Sequence, residues 1–278
     1  MQAMKRDPED SPAPRDPDAH GQQCLIRAWD EAADGYVSYF EPRFRPWIED
    51  AVAALREASP DPGIVVAPGC GAGLELRLLA EALPGHDILG LDPAAGMCRN
   101  AARRIHDLPR VTVRRDDGTR TDAWPRPCAG VLSCFVLQLL PHPERALAAW
   151  MQALAPGGVL SVVFWPGDLE PEGPFATVRR ILEARLAPRN RAWEGTVQDA
   201  LRAAGGDVLR DETRGHAMRH ESAEAFWEAM TLSGPLRPLV LSRGARFVDD
   251  VRRAFLRASP SGELVHEPRA RLVLARRG

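Results

Sequence analysis

The chain has 278 residues, of which 45% are hydrophobic and 27% charged, and its formal net charge at pH 7 is −2. This length accommodates one large α/β domain with an accessory region or two small domains, and the apolar content excludes a globally disordered chain. The nearly neutral charge gives no reason to expect a nucleic acid or an anionic membrane as a partner.

The five cysteines stand at scattered spacings and form no Cys-x-x-Cys pair, so neither a metal site nor a disulfide framework is predicted. The N-terminal residues lack the apolar region of a signal peptide, and no apolar run is long enough to span a bilayer. Together these features predict a soluble, cytoplasmic protein with reduced thiols.

The first sixty residues divide into a tail and a helical segment. Residues 1–20 are rich in proline and charged residues, which is typical of a flexible polar tail. Apolar and aromatic residues then recur at helical spacing up to Ala58, and Pro42 predicts a break near Glu41 that divides this segment into two helices. The two helices would form an N-terminal cover over residues 21–60.

The next segment, residues 61–166, alternates apolar stretches typical of buried strands with amphipathic helical patterns. Strands are predicted to start at Ile64 and to cover 87–91, 111–114, 129–133 and 159–165. Helices are predicted after Gly73 through Glu81, over 95–105 and over 142–154. Such alternation implies a parallel sheet that is buried on both faces and binds ligands at the carboxyl ends of its strands.

After residue 166 the pattern is less regular. Helices are predicted over 176–186, 196–204, 221–230 and 245–256, and strands at 208–209 and 271–275. No internal repeat is present, so one domain with a helical insertion is predicted.

Three alternate glycines follow the first strand and precede a helix, which indicates a tight turn beside a ligand. Gly69, Gly71 and Gly73 would let the backbone turn sharply and let a ligand approach it without meeting a Cβ atom. The free N–H groups at the helix start would then face a polar or anionic group, as in a nucleotide-type cofactor site. A glycine-rich turn without a ligand is the alternative at this point.

Polar residues also stand at the ends of the next strands. Asp92 lies nineteen positions after Gly73, where a carboxylate can accept hydrogen bonds from both hydroxyls of a ribose. The dinucleotide pattern has a third glycine where this chain has Leu76, so a cofactor with one nucleoside and no pyrophosphate fits better. Asp117 and Ser133 follow the third and fourth strands, and this convergence at one edge of the sheet favours a cofactor site.

Five segments resemble, in order, the sequence motifs of class I S-adenosylmethionine-dependent methyltransferases. They are VVAPGCGAG (65–73), GLDPAAGM (90–97), DDG (116–118), VLSCFVLQLLP (131–141) and LAPGGVL (154–160). The subgroup that the chain most resembles acts on small molecules, as the quinone-biosynthesis and natural-product methyltransferases do. The resemblance implies an α/β fold with a Rossmann-like, mostly parallel seven-stranded sheet, helices on both faces, N-terminal helices and a helical insertion over the cleft.

The resemblance also implies an activity, the transfer of a methyl group from S-adenosylmethionine to an O, N, C or S atom of a small molecule. S-adenosylhomocysteine would be the product. Residues 61–166 would form the cofactor-binding core, and residues 167–278 would complete the sheet and add a helical substrate cover.

Matching the motifs residue by residue implies which residues contact the cofactor. The glycines would let the backbone approach the methionine part and the ribose, while Asp92 would bind the ribose hydroxyls. Asp117 would accept from the adenine amino group, and Ser133 or Cys134 would touch the methionine end. The complete implied set is Tyr36, Gly69, Cys70, Gly71, Gly73, Asp92, Pro93, Met97, Asp117, Gly118, Ser133 and Cys134.

The chain departs from the family pattern at one position. The family usually has Asp or Glu two residues before the first glycine, where the acid helps to hold the ammonium group of the cofactor. Here that position is Ala67, followed by Pro68. The ammonium would need backbone carbonyls, a water molecule or another carboxylate, and Glu75 is the nearest in sequence.

The reaction requires little of the protein, because a sulfonium is already a strong electrophile. An oxygen or carbon nucleophile usually needs a base, and histidine is the default near neutral pH. The candidate bases are His142, His216 and His220. The aromatic residues that could line an apolar substrate pocket are Trp165, Trp193, Phe226 and Trp227.

Two alternatives to methyl transfer stay open at this point. One is a protein that uses the charge of the cofactor in a cyclisation or rearrangement, and the other is a non-catalytic partner subunit. A nucleic-acid substrate is disfavoured because the Asn/Asp-Pro-Pro-Tyr-type motif is absent after the fourth strand. The expected partner is a small-molecule substrate, and no membrane partner is expected. The chain is expected to be a monomer or a homodimer.

Overall fold

A computed structural model describes residues 17–187 and 190–278 of the chain. Within these residues the strands are β1 (Ile64–Pro68), β2 (Asp87–Asp92), β3 (Val111–Arg115), β4 (Cys128–Cys134), β5 (Leu154–Phe164), β6 (Gly206–Gly215), β7 (Met218–His220), β8 (Leu264–His266) and β9 (Arg269–Arg277). The α-helices are α1 (Pro17–Glu57), α2 (Leu74–Ala82), α3 (Ala95–Arg104), α4 (Pro143–Ala153), α5 (Pro174–Glu183), α6 (Val197–Ala203), α7 (Ala223–Leu232), α8 (Arg237–Arg243) and α9 (Ala245–Ala258).

Seven of the strands form one sheet in the order β3-β2-β1-β4-β5-β9-β6. The pairs from β3 to β5 are parallel, whereas β9 runs antiparallel to both β5 and β6. The predicted α/β fold with a mostly parallel, seven-stranded Rossmann-like sheet is therefore confirmed. The strands β7 and β8 pair separately as a short antiparallel ribbon.

Alternate residues of the central strands point into two separate cores, because successive side chains of a strand lie on opposite faces of the sheet. Val65 and Ile88 belong to a core that contains side chains of α1, α2, α7 and α9. Their neighbours Val66 and Leu89 belong to a second core with side chains of α4 and α6. This double burial explains why the strands read as nearly continuous apolar segments.

The predicted break of the N-terminal helical segment is wrong. One helix, α1, runs from Pro17 to Glu57 with Pro42 and Pro46 inside it. A proline in a helix removes one hydrogen bond and costs about 3 kcal/mol. The buried aromatic side chains Phe40 and Trp47 flank these prolines, and their packing against the sheet offsets that cost.

The structure also contains elements that the sequence patterns did not indicate, namely α8, β7 and β8, and it extends the two-residue strand predicted at 208–209 to the whole of β6. The predicted tail, residues 1–20, lies outside the described residues except for 17–20, which belong to α1. None of the helices in the described ranges is long and apolar enough to cross a membrane.

Candidate active site

A cavity of about 1940 Å³ lies at the carboxyl ends of the parallel strands. Pro68, Asp92 and Cys134, the last residues of β1, β2 and β4, all line it. Side chains of α1, α5 and α8 cover its other sides. This is the edge at which open α/β sheets bind their ligands, since loops and helix N-termini converge there.

The glycine loop between β1 and α2 is tied to the neighbouring strand. The N–H groups of Gly69 and Cys70 both donate to the carbonyl of Leu91, at 2.7 and 3.0 Å. Gly69, Gly71 and Gly73 have φ angles of 71°, 49° and 81°, which lie in the left-handed region that favours glycine. Gly69 and Gly71 line the cavity, so the loop presents bare backbone to any ligand in it.

Gly73 lies behind the loop and does not line the cavity. A Cβ atom on it would lie 2.9 Å from the Cβ atom of Ala101 in α3. Position 73 therefore requires glycine because the loop packs closely on α3 and because its backbone conformation is left-handed.

Asp92 is fixed by two backbone donors. Its carboxylate accepts from the N–H of Gly71 at 3.0 Å and from the N–H of Ala94 at 2.9 Å. Burial raises the pKa of Asp92 to about 6, although the two N–H groups act in the opposite direction. The carboxylate is thus mainly ionised at neutral pH, and its remaining lone pairs are available to hydroxyl donors in the cavity.

The segment after β3 lines another part of the cavity through Asp117 and Gly118. The Asp117 carboxylate accepts from the backbone N–H and the hydroxyl of Thr119, both at 2.8 Å, and is exposed. The Gly118 carbonyl accepts from the indole N–H of Trp150 at 2.8 Å. A Cβ atom on Gly118 would lie 2.6 Å from Pro68, so only glycine lets the loops after β1 and β3 pack this closely.

The remaining residues implied for the cofactor divide into two groups. Cys70 and Ser133 are buried behind the cavity, and the Ser133 hydroxyl donates to the carbonyl of Pro68 at 3.2 Å. Burial raises the pKa of the Cys70 and Cys134 thiols well above its usual value, which makes both poor nucleophiles. Those of the implied set that line the cavity are Tyr36, Gly69, Gly71, Asp92, Pro93, Met97, Asp117, Gly118 and Cys134.

Glu75 is a cavity residue in the first turn of α2, whereas Ala67 is buried within β1. The Glu75 side chain is 7% exposed, and burial is the main reason that its pKa rises to about 8. A backbone hydrogen bond at Glu75 lowers this pKa, the charges of Glu41 and Asp92 raise it further, and Arg104 lowers it.

Glu41 is a second buried carboxylate at the cavity. Its two oxygens accept from the guanidinium of Arg104 at 2.6 and 2.7 Å, which joins α1 to α3. No pattern in the sequence pointed to Glu41, because the residue sits where a helix break was expected.

Of the three candidate bases, only His142 lines the cavity, at the residue that precedes α4. The ring of His216 instead bonds through Nε2 to the Asp50 carboxylate at 2.7 Å and packs edge-on against Trp47. The structure therefore does not bring His216 to the cavity, and His220 lies in the network described next.

A buried chain of hydrogen bonds links the ribbon of β7 and β8 to α1 and α5. The Tyr39 hydroxyl is 2.8 Å from Nδ1 of His220, whose Nε2 is 3.0 Å from Nε2 of His266. Nδ1 of His266 is 2.6 Å from a Glu170 oxygen, and the other oxygen of Glu170 accepts from the N–H of Phe175 at 2.7 Å.

One set of proton positions satisfies this whole chain. Tyr39 donates to His220, His220 donates to His266, and His266 donates to Glu170, with both rings neutral. Burial is the main reason that the pKa of His220 falls to about 3, and the charge of Arg43, or of His266 when that ring is protonated, acts in the same direction. Because all its nitrogens are engaged away from the cavity, the His220 ring serves the packing of the ribbon.

Of the four aromatic residues proposed to line a substrate pocket, only Trp165 lines the cavity. Trp165 stacks on Phe135 with ring centroids 4.6 Å apart. Trp227 is buried against Phe255, and Trp193 packs on the Phe164 ring, as core residues do. Phe226 is likewise completely buried.

The sheet order, the glycine loop and the acid that ends β2 define a protein that binds a nucleoside-containing cofactor. Residues 67–160 match the Methyltransferase domain family. The chain is 33% identical over 245 residues to a trans-aconitate 2-methyltransferase of Methylobacterium nodulans, covering 84% of this chain and 90% of the relative. It is 29% identical to the protein of the same name from Streptomyces avermitilis, covering 86% and 93%.

Solved methyltransferases share the fold. A geranyl diphosphate methyltransferase in complex with GPP and sinefungin has a TM-score of 0.50 at 16% identity, over 84% of this chain and 78% of that one. A Haemonchus contortus phosphoethanolamine N-methyltransferase 2 with S-adenosylhomocysteine has a TM-score of 0.53 at 16% identity, over 92% and 60%.

The chain belongs to the class I S-adenosylmethionine-dependent methyltransferases that act on small molecules. S-adenosylmethionine as the cofactor and methyl transfer to a small molecule, both predicted from the sequence motifs, are confirmed. Rearrangement without transfer and a purely non-catalytic role are therefore not retained.

Proposed function

We propose that this methyltransferase esterifies a carboxylate of a small polycarboxylic acid of the trans-aconitate type. The observation that supports the proposal is the distribution of charge around the cavity. Three acidic side chains come from the strand ends and α2, and two more from α1 and α5, whereas the arginines come from α1, α4, α5, α8 and the loop after α5.

The acidic side chains at the strand ends and on α2 suit the cofactor, which carries a sulfonium and an ammonium group. Asp92 would bind the ribose hydroxyls, and Asp117 with the Gly118 amide would bind the adenine. The stretch of backbone at Gly69 and Gly71 would lie against the methionine part, beside Cys134. All of these residues line the cavity.

The arginines that line the cavity suit an anionic substrate. They are Arg27, Arg145, Arg179, Arg191 and Arg243. Arg27, Arg179 and Arg191 form ion pairs with neighbouring acids. Within residues 17–187 and 190–278, Arg145 and Arg243 have no such partner, so their guanidinium groups are available to carboxylates of a substrate.

A carboxylate acceptor also matches the chemistry of the lining. The bound cofactor supplies an electrophilic methyl group. A carboxylic acid is ionised at neutral pH and attacks without a general base, so the residues need only orient it and exclude water. Among the described residues that line the cavity, His142 is the one histidine, and an acceptor that must lose a proton would require it.

The test compares methyl transfer to trans-aconitate, citrate and the trimethyl ester of aconitate, with labelled S-adenosylmethionine. We expect transfer to the free acid and not to the ester, and a product that alkali hydrolyses to methanol. Arg145→Gln and Arg243→Gln should each raise KM for the acid about tenfold at nearly constant kcat, because each removes one charged hydrogen bond.

The matched control is Arg246→Gln, since Arg246 is exposed on α9 and outside the cavity lining. It should leave all kinetic constants unchanged. An alkali-stable product, equal use of the neutral ester or a hundredfold loss of kcat in His142→Gln would contradict the proposal.

We further propose that the protein is cytoplasmic, because its five cysteines are free thiols. We also propose that it acts as a monomer or homodimer, without nucleic acid or membrane partners. We also propose the division into a core of residues 61–166 and a substrate cover within residues 167–278, because α5 and α8 line the cavity. Cell fractionation and size-exclusion chromatography test the first two statements, and substrate specificity of chimaeras tests the third.

A further inference from the structure

The cavity holds a buried carboxyl group that the assigned contacts do not use. Glu75 is 7% exposed, lines the cavity and, among the described residues, makes no hydrogen bond to another side chain. Burying an acid in this way is unfavourable unless a partner compensates it.

The neighbouring carboxylates are already engaged. Glu41 is held by both guanidinium nitrogens of Arg104, and Asp92 by the backbone N–H groups of Gly71 and Ala94. A cation entering this part of the cavity would therefore find Glu75 as the buried carboxyl group that no other side chain among the described residues holds.

The position of Glu75 matches the end of the cofactor that carries the ammonium group. Burial is the main reason that the pKa values of the Cys134 thiol at the end of β4 and of the Tyr36 hydroxyl are raised, and the charge of Glu75 raises both further. Cys134 is a residue that the family resemblance places at the methionine end of the cofactor, and Tyr36 belongs to the same implied set.

The residue that normally provides an acid for this ammonium cannot do so here. Ala67 has only a methyl side chain, which is 1% exposed within β1. We propose that Glu75, from the first turn of α2, replaces the missing acid and holds the ammonium group of the methionine part. The inference rests on the use of S-adenosylmethionine and not on the identity of the methyl acceptor.

This assignment couples cofactor binding to the release of a proton. The pKa of Glu75 is about 8 without ligand, so its carboxyl group is mainly protonated at pH 7. A bound ammonium would lower that pKa and expel the proton. Asp92, with a pKa of about 6, is already mainly ionised at pH 7 and would add little to the release.

The other ionisable groups near Glu75 should not contribute to this proton release at pH 7. The hydroxyl of Tyr36 and the thiols of Cys70 and Cys134 have pKa values that burial raises well above their ordinary ones. Glu41 and Arg104 form an ion pair.

The test is calorimetry at pH 7 in two buffers of different ionisation enthalpy, with two ligands. S-adenosylhomocysteine carries the ammonium, whereas 5′-methylthioadenosine lacks the whole amino-acid part. For the unmodified protein we expect S-adenosylhomocysteine to release about 0.9 proton and 5′-methylthioadenosine to release almost none.

Glu75→Gln should weaken S-adenosylhomocysteine about 10- to 100-fold, remove the proton release and leave 5′-methylthioadenosine within twofold. The control Glu183→Gln changes an exposed carboxylate of the same cavity and should alter neither ligand. Retained binding of 5′-methylthioadenosine also shows that the variant is folded.

Unchanged affinity for S-adenosylhomocysteine, an equal loss for both ligands or an unchanged proton release in Glu75→Gln would overturn the inference. Failure of the proposed acceptor gives a different result, since it would alter methyl transfer to aconitate and leave these binding constants as expected.

Discussion

At the scale of single residues, the site depends on how backbone groups hold polar side chains. Asp92 ends β2 and receives two backbone N–H groups, so its position at the cavity is set before any ligand binds. Such preorganisation reduces the entropy that binding must overcome. Ser133 has the same location at the end of a strand, yet its hydroxyl points to the Pro68 carbonyl and not into the cavity.

Asp92→Ala should abolish measurable binding of S-adenosylmethionine, with an affinity at least about 100-fold lower. The change removes the acceptor proposed for the ribose and leaves the N–H groups of Gly71 and Ala94 without their partner. Calorimetry measures the effect. Asp87→Ala, at the exposed beginning of the same strand, is the control and should bind normally; full affinity in Asp92→Ala would remove the assigned ribose site.

At the scale of elements, the long helix α1 determines the shape of the site, because it packs on α3 and also covers the cavity. The contact with α3 is close at Gly96, whose N–H donates to the Asp30 carboxylate. A Cβ atom on Gly96 would lie 2.6 Å from the carbonyl oxygen of Asp30 and 3.0 Å from the Cβ of Ala33. The spacing between the two helices therefore depends on this glycine.

Gly96→Ala should destabilise the protein by about 1–3 kcal/mol, because the added methyl group forces the helices apart. Alanine is the better helix former by about 1 kcal/mol, and the clash outweighs that gain. Urea unfolding measures the difference. The matched control is Gly85→Ala, where the added Cβ atom has no neighbour within 4 Å and the effect should stay within about 0.5 kcal/mol; equal stability of both variants would contradict the close contact.

At the scale of the whole molecule, buried ionisable groups make stability depend on pH. The pKa of Glu75 is raised from 4.5 to about 8 and that of Asp92 from 3.8 to about 6, both by burial. The stability that their neutral forms contribute is complete below the unfolded pKa values and is lost as the pH rises through the folded ones. The pKa of His220 is lowered from 6.5 to about 3, so its contribution is lost as the pH falls below 6.5.

The protein without cofactor should therefore be most stable near pH 4, because above that pH the losses through Glu75 and Asp92 outweigh the gain through His220. Raising the pH from 6 to 9 should cost on the order of 3 kcal/mol through Glu75, and Glu75→Gln should remove most of that loss. Urea unfolding between pH 4 and 9 measures the profile. Stability that increases from pH 6 to 9, or an unchanged profile in Glu75→Gln, would show that Glu75 is not the group responsible.

The amino-acid sequence by itself determined the order of strands and helices in the core, the fold class and the edge of the sheet where the cavity lies. It could do so because periodicity, prolines and glycines act within a few residues, and because Asp92 and Asp117 follow strands that run parallel. The family motifs lie in the same short-range segments, which is why they indicated S-adenosylmethionine.

Only the tertiary structure decided which side chains reach the cavity. The continuity of α1 through Pro42 comes from packing on a sheet built by later residues. His220 is turned away from the cavity by Tyr39, 181 positions earlier, and by His266, 46 positions later. Glu75 becomes a buried acid that, among the described residues, has no side-chain partner, because α1 and the sheet enclose it. Burial of this kind depends on contacts between distant parts of the chain that no local pattern records.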